Sequence, residues 1–181
     1  MAKLQAGQTM PDFTFDTPFA QGLSFHAAAR GKKTALLFLR YFGCTLCQYD
    51  MMQLREQYGL FTRQGAQVLV VLQSDPAKLA QKITPQTYPF EIVCDPGQQL
   101  YRTFEIAPAK NKAGLVSPKA LKKLAKLHGT GLQHGEYEGD ELQLPALFVL
   151  DAQGTLRHAH YAKDVADLPD AEELAKWMSA I

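Results

Sequence analysis

The sequence has no hydrophobic run long enough to cross a bilayer. Its longest, ALLFL at Ala35–Leu39 and PALFVL at Pro145–Leu150, are of strand length, and a spanning helix needs about 20 apolar residues. It also lacks an excess of charge: 19 Lys and Arg against 18 Asp and Glu leave a formal +1. No field of one sign is therefore available to recruit nucleic acid or an acidic membrane surface. The opening MAKLQAGQTMPDFTFDTP has no apolar core and no small-residue cleavage site, so it does not read as a secretory leader. The expected location is the cytoplasm. Only three cysteines there argue against a structural disulfide framework, and a C-x-x-C pair points to catalysis or metal binding instead. Internal repeats and low-complexity stretches are also missing. What remains, 46% hydrophobic and 20% charged over 181 residues, suits one globular domain spanning residues 1–181.

The strongest strand signal is Thr34–Phe42, a continuous apolar run of the kind buried on both faces of a sheet. A helix follows over Gln48–Gln64, with Met51, Leu54 and Tyr58 on one face and Gly65 as its stop. Gln67–Gln73 reads as a strand, and Ser74, Asp75 and Pro76 open a short helix through Ile83. Phe90–Cys94 is the next strand, and Asp95 and Pro96 start a helix to about Phe104. The segment 107–143 is the least regular, with one helix capped by Ser117, opened by Pro118 and closed by Gly129. The run from Pro145 to Tyr161 is a hairpin around an Asp-Ala-Gln-Gly turn, and Asp170 with Glu173 caps a last helix whose Leu174, Trp177 and Met178 face the core. This order predicts an α/β fold: a mixed central sheet with helices on both faces.

Cys44 falls where the first long strand hands over to its helix, the end at which open α/β sheets collect their chemistry. If that helix starts near Thr45, Cys44 sits at its N-terminus and Cys47 one turn inside. Side chains three apart on a helix lie about 5–6 Å apart at Cβ, within reach of a disulfide after a small adjustment. Free N–H groups and the positive dipole end favour a thiolate at Cys44. Cys47, the more enclosed of the two, is suited to resolve the mixed disulfide or sulfenate that forms. Two inert core cysteines are the plain alternative. A structural zinc site lacks a second pair, and His158 and His160 are spaced too tightly for the usual finger. The Gly43 turn and the strand-to-helix position favour the redox pair.

The stretches QTMPDFTFDTP, ALLFLRYFGCTLCQYDM, VLVVLQSDP and CDPGQQLYRTFEI, with LPALFVLD much later, resemble in order the AhpC/TSA peroxiredoxin-like group of the thioredoxin-fold superfamily. The likeness covers most of the chain; residues 107–143 have no counterpart and read as an insertion. It implies a thioredoxin-like sheet, a thiol-dependent reaction on a disulfide or a hydroperoxide, and recycling by an external thioredoxin- or glutathione-like thiol, with no organic cofactor and no metal. By that likeness Cys44 is the nucleophile, Cys47 its resolver, and Pro145 the substrate-facing proline, expected cis. Where members of the group carry a proline, then a threonine or serine, then the peroxidatic cysteine, this chain has Arg40, Cys44 and Cys47. Thioredoxin itself also has a buried acid on the preceding strand; ALLFLR offers none, and Arg40 is the nearest charge, placed to favour a thiolate if it reaches the sulfurs.

Other residues read more plainly. Cys94 suits the core better than a role as distant resolver. His158 and His160 share a strand face and suit a solvated edge. Lys119, Lys122 and Lys126 read as a solvated helix face, with Leu121 and Leu124 turned the other way. Phe38, Phe42 and Tyr49 read as packing. Two other classes of function are open: a redox-responsive binding protein that senses through the pair and binds through 107–143, and a copper-handling protein using both cysteines and a histidine.

Overall fold

A computed structural model of the chain describes residues 3–181; Met1 and Ala2, the first two residues of the stretch tested above for a leader, lie outside it. A small hairpin, β1 (Thr14–Phe15) and β2 (Leu23–Ser24), leads into α1 (Phe25–Ala29). Then come β3 (Lys33–Phe38), α2 (Thr45–Glu56), α3 (Gly59–Thr62), β4 (Ala66–Leu72), α4 (Pro76–Ala80), β5 (Glu91–Cys94) and α5 (Gln99–Thr103). A 3-10 turn (Lys112–Leu115) and α6 (Pro118–Leu127) lie in the irregular segment, and β6 (Ala146–Leu150), β7 (Leu156–Tyr161) and α7 (Ala171–Ser179) complete the chain. Among the described residues no helix is long and apolar enough to cross a membrane.

The main sheet runs β5-β4-β3-β6-β7. β3, β4 and β5 are mutually parallel, while β6 pairs antiparallel with both β3 and β7. Alternation along the central strands divides the core between two faces. Ala35 and Leu37 join α2, α3, α4 and α7 on one face, through Met51, Leu54, Phe61, Leu79 and Met178. Leu36 and Phe38 join α1 and α5 on the other, where Phe38 meets Tyr101, Phe104 and Phe148 edge-on. This is the thioredoxin-like mixed sheet with helices on both faces.

Several boundaries differ from the sequence reading, each for a local reason. β3 stops at Phe38 because its partner β6 begins with Ala146, and the preceding Pro145 has no N–H to extend the ladder. The chain runs on beside β4 instead, with Leu39 N–H on Val71 O and Gln73 N–H on Arg40 O. The expected long helix over 48–64 is two pieces, breaking ahead of Gly59, a poor helix former. α6 is rotated from its expected setting. Ala120 and Leu127 are buried, and Leu121 and Leu124 are 59% and 39% exposed. Small Ala120 allows close approach to the rest of the fold, and Lys123 reaches Asp50 on α2. The Leu144–Pro145 bond is trans, not cis: the chain enters β6 extended, with Pro145 O accepting from Ala162 N–H, and trans is the favoured form of an ordinary X–Pro bond. His158 and His160 lie on the edge strand β7, each half-buried and each with a neighbour. His158 stacks on Trp177 at 4.9 Å, and His160 Nε2 lies 2.6 Å from Asp167 O.

Candidate active site

Cys44 is the N-cap of α2, with extended backbone angles and its side chain in the capping role. Its Sγ accepts from Cys47 N–H at 3.4 Å, from Cys47 Sγ–H at 2.8 Å and from Arg40 Nη2 at 3.1 Å. A thiol cannot use three donors well, but a thiolate can. These contacts bring the Cys44 sulfur down to about 6: the hydrogen bond from Cys47 lowers it most, burial opposes, and the Arg40 charge adds to the lowering. Burial and the bond it donates push Cys47 well above the free-thiol value. The pair therefore divides into a ready thiolate and a held proton. All three cysteines are free thiols. Cys94 stands apart at the end of β5, pushed up to about 12 mainly by burial.

The thiolate absorbance of the reduced protein should rise around pH 6, below the range of free cysteine. Both Cys47→Ala and Arg40→Met should move that rise upward, since each removes a donor to the sulfur. Because Cys44 ionises more readily in the folded chain, its stabilising contribution is complete above the free-cysteine value and is lost as pH falls through about 6. A rise at the free-cysteine value in the native protein would contradict this geometry.

Residues 133–141 cross directly over this turn. Gly135 N–H donates to Gly43 O at 2.8 Å, and Gln48 Nε2 reaches both Gly43 O and Gln133 O at 3.1 Å. Arg40 Nη1 donates to Glu141 O at 2.8 Å, and Tyr41 Oη pairs with His134 Nε2 at 3.1 Å. Ser74 Oγ–H holds Glu138, and Lys78 and Lys82 hold Glu136. The contact needs glycine at position 43, because a Cβ there would sit 2.2 Å from Glu136 O. Under this strap Cys44 is 0% exposed and Cys47 4%. The expectation that Cys44 is the open thiol and Cys47 the enclosed one does not hold. A cover brought from far along the chain, not the helix start, sets the exposure.

A small cavity opens beside Cys47. About 10 Å³ in volume, room for roughly one water, it is bounded by Arg40, Cys47, Asp50, Gln143 and Pro145 among others. Pro145 thus lies beside the pair although its peptide is trans. Asp50, one turn beyond Cys47 on α2, was not singled out by the sequence reading. Burial raises its carboxyl above the ordinary value even though the Lys123 charge pulls it down. The signal available in the sequence was its spacing of three from Cys47; what was hidden is that Lys123, 73 positions along, lies against it. Tyr41 and His134 were also missed, for the same reason of distance along the chain. No group of three His, Cys, Asp or Glu side chains suited to a metal ion is found among the described residues, so the copper reading finds no third ligand beside the pair.

Comparison with known proteins agrees with this architecture. The AhpC/TSA family model matches residues 6–159. No functionally curated sequence matches the chain at a significant level. Among solved structures, a putative thiol:disulfide interchange protein DsbE from Chlorobium tepidum shares 15% identity at a TM-score of 0.62, with 98% of each chain covered. A yeast mitochondrial 1-Cys peroxiredoxin shares 14% at 0.66, covering 98% of this chain and 76% of that one. A 2-Cys peroxiredoxin from Plasmodium vivax shares 15% at 0.68, covering 97% and 80%. At these identities the structures speak for the fold, while the family model spans most of the sequence. The chain belongs to the AhpC/TSA family, and its class of chemistry is thiol-dependent oxidation and reduction.

Proposed function

We propose that the chain is a two-cysteine peroxidase of small hydroperoxides, with Cys44 as nucleophile, Cys47 as resolver, Arg40 and Pro145 lining the substrate position, and 107–143 as an insertion that covers the pair. The observation that carries the reading is a stabilised Cys44 thiolate with Cys47 Sγ 2.8 Å away, both beneath a cover. In the first step the thiolate attacks the distal peroxide oxygen, the O–O bond breaks, and with one proton the products are a Cys44 sulfenic acid and an alcohol or water. In the second, Cys47 sulfur displaces hydroxide from the sulfenic sulfur; with its proton this leaves as water, and the disulfide forms. Two molecules of an external thiol then reduce that disulfide and leave as their own disulfide. The yeast relative is described as resolved through glutathione and thioredoxin systems, and a reductant of that class suits this site.

The cover argues for a small oxidant over a protein disulfide, because a folded partner cannot reach a sulfur with no exposed surface. The test is kcat/KM for hydrogen peroxide against that for a protein disulfide, with dithiothreitol as the common reductant. We expect at least a tenfold preference for peroxide; equal or faster protein-disulfide reduction overturns the substrate assignment. Reduction of protein disulfides is the second reading, and it draws on the exposure of the strap's ion pairs to Glu136, which makes them weak fastenings.

Cys47 must lose its proton in the second step, and Asp50 borders the same cavity with a carboxyl already raised toward proton affinity. Asp50→Asn should slow disulfide closure by about a hundredfold, within the usual range for losing a general base, and leave the first step unchanged. Trapping of the sulfenic acid by a dimedone probe reads the ratio of the two steps. An unaltered ratio removes Asp50 from the proton path.

A further inference from the structure

A groove of about 510 Å³ lies between α2, α6 and the start of α7, within the range of small-ligand sites. One wall is cationic: Lys119, Lys122, Lys123 and Lys126 all line it. The facing wall carries Asp170, Glu172 and Glu173, and the floor is apolar, with Leu54, Leu147 and Leu174 among its residues. Some of these charges are already engaged. Lys123 pairs with Asp50, Lys119 donates to Leu168 O, and Asp170 caps α7. Among the described residues, Lys122 and Lys126 have no ion-pair partner within 4.0 Å, and neither do Glu172 and Glu173. The two walls stand apart with free charge of opposite sign on each. Asp50 belongs to this groove and also to the small cavity at Cys47.

We infer that this groove binds a small zwitterionic peptide thiol, its carboxylates on Lys122 and Lys126 and its ammonium group on Glu172 and Glu173. A purely anionic ligand would be repelled by the α7 wall and a purely cationic one by α6. A short peptide bearing both charges over an uncharged middle meets both walls and the floor. Bound there, it lies against Asp50, which also borders the cavity at Cys47. The inference rests on the peroxidase reading for its purpose, since such a thiol is the external reductant. In that use two peptide thiols give one peptide disulfide and restore the Cys44 and Cys47 thiols.

S-methylglutathione, which has the charges but no free thiol, is the probe. Titrated by calorimetry into the Cys44→Ser/Cys47→Ser protein, it should bind saturably, and Lys122→Glu/Lys126→Glu should weaken it at least tenfold. Glu172→Gln/Glu173→Gln should weaken it also. No saturable binding, or binding indifferent to both pairs of substitutions, overturns the inference. With intact cysteines, the lysine variant should raise the KM for glutathione at least tenfold and leave turnover with dithiothreitol unchanged; an unchanged KM overturns it equally. Loss of peroxide turnover with every reductant, while S-methylglutathione still binds, sinks the peroxidase reading and leaves the groove standing.

Discussion

Cys44→Ser should reduce peroxide-dependent turnover at least a thousandfold, whereas Cys47→Ser should still consume about one peroxide per chain and then stall. The asymmetry comes from where the proton resides. Cys44 carries the negative charge, and each of its three donors stabilises it. A serine hydroxyl in its place ionises far too weakly for these contacts to make it a nucleophile. Cys47 is held protonated by burial and by the bond it gives to Cys44, so its loss does not remove the attacking group. It removes the group that ends the first intermediate. The stalled chain should hold Cys44 as sulfenic acid, detectable by mass as one added oxygen. Its Cys44 should stay easier to ionise than in Cys47→Ala, because the serine hydroxyl can still donate to the sulfur where alanine cannot. If Cys44→Ser consumes peroxide as well as the native chain while Cys47→Ser does not, the roles of nucleophile and resolver are reversed. The alignment that places Cys47 at the family's peroxidatic position would then be the correct one.

Gly43→Ala should lift the strap from the active site. The new methyl would meet Glu136 O at 2.2 Å and Glu136 N at 2.9 Å, backbone atoms that cannot rotate aside. It would also force apart the Gly135 to Gly43 hydrogen bond. Overpacking of this kind costs about 1–3 kcal/mol, and the local structure avoids it by releasing residues 133–141. Every 1.4 kcal/mol taken from closure favours the open form about tenfold. Alkylation of Cys44 by a small reagent should therefore accelerate about ten- to a hundredfold, with a lower melting temperature. Gly139→Ala tests the far end of the same strap. There a Cβ would meet Gln73 Oε1 at 2.2 Å, and the backbone has φ of +66°, which disfavours any side chain. Both variants should share the phenotype. Lower stability with unchanged alkylation would show that the strap does not control access to the sulfur.

Much of the architecture is legible from local pattern. Thr34–Phe42 and Gln67–Gln73 were identifiable as buried strands because they are continuous and apolar between helix and turn signals. The strands that form there, β3 (to Phe38) and β4, are both central, each paired on two sides. Asp75 and Pro76, Ser117 and Pro118, and Asp170 all begin helices where their capping chemistry indicates. The orientation of α6 was less legible, since Leu121 and Leu124 look like a core face by spacing alone. The small Ala120 and the Lys123 contact to Asp50 set the rotation instead, and no periodicity in the helix encodes its neighbour.

The chain order alone determined that Cys44 begins a helix, that Cys47 lies one turn on, and that Arg40 is near, because each is a contact within a few residues. Only the folded chain decided whether those sulfurs face solvent. Gly135 and Glu136 over Gly43, Lys123 against Asp50 and Glu141 under Arg40 join positions about 70 to 100 apart. Helix caps and strand alternation follow from backbone geometry repeated every few residues, so they can be read in a line. Exposure and proton affinity depend on whatever surface finally packs against a group, and here that surface comes from residues 133–141, about 90 positions along the chain from the cysteine pair.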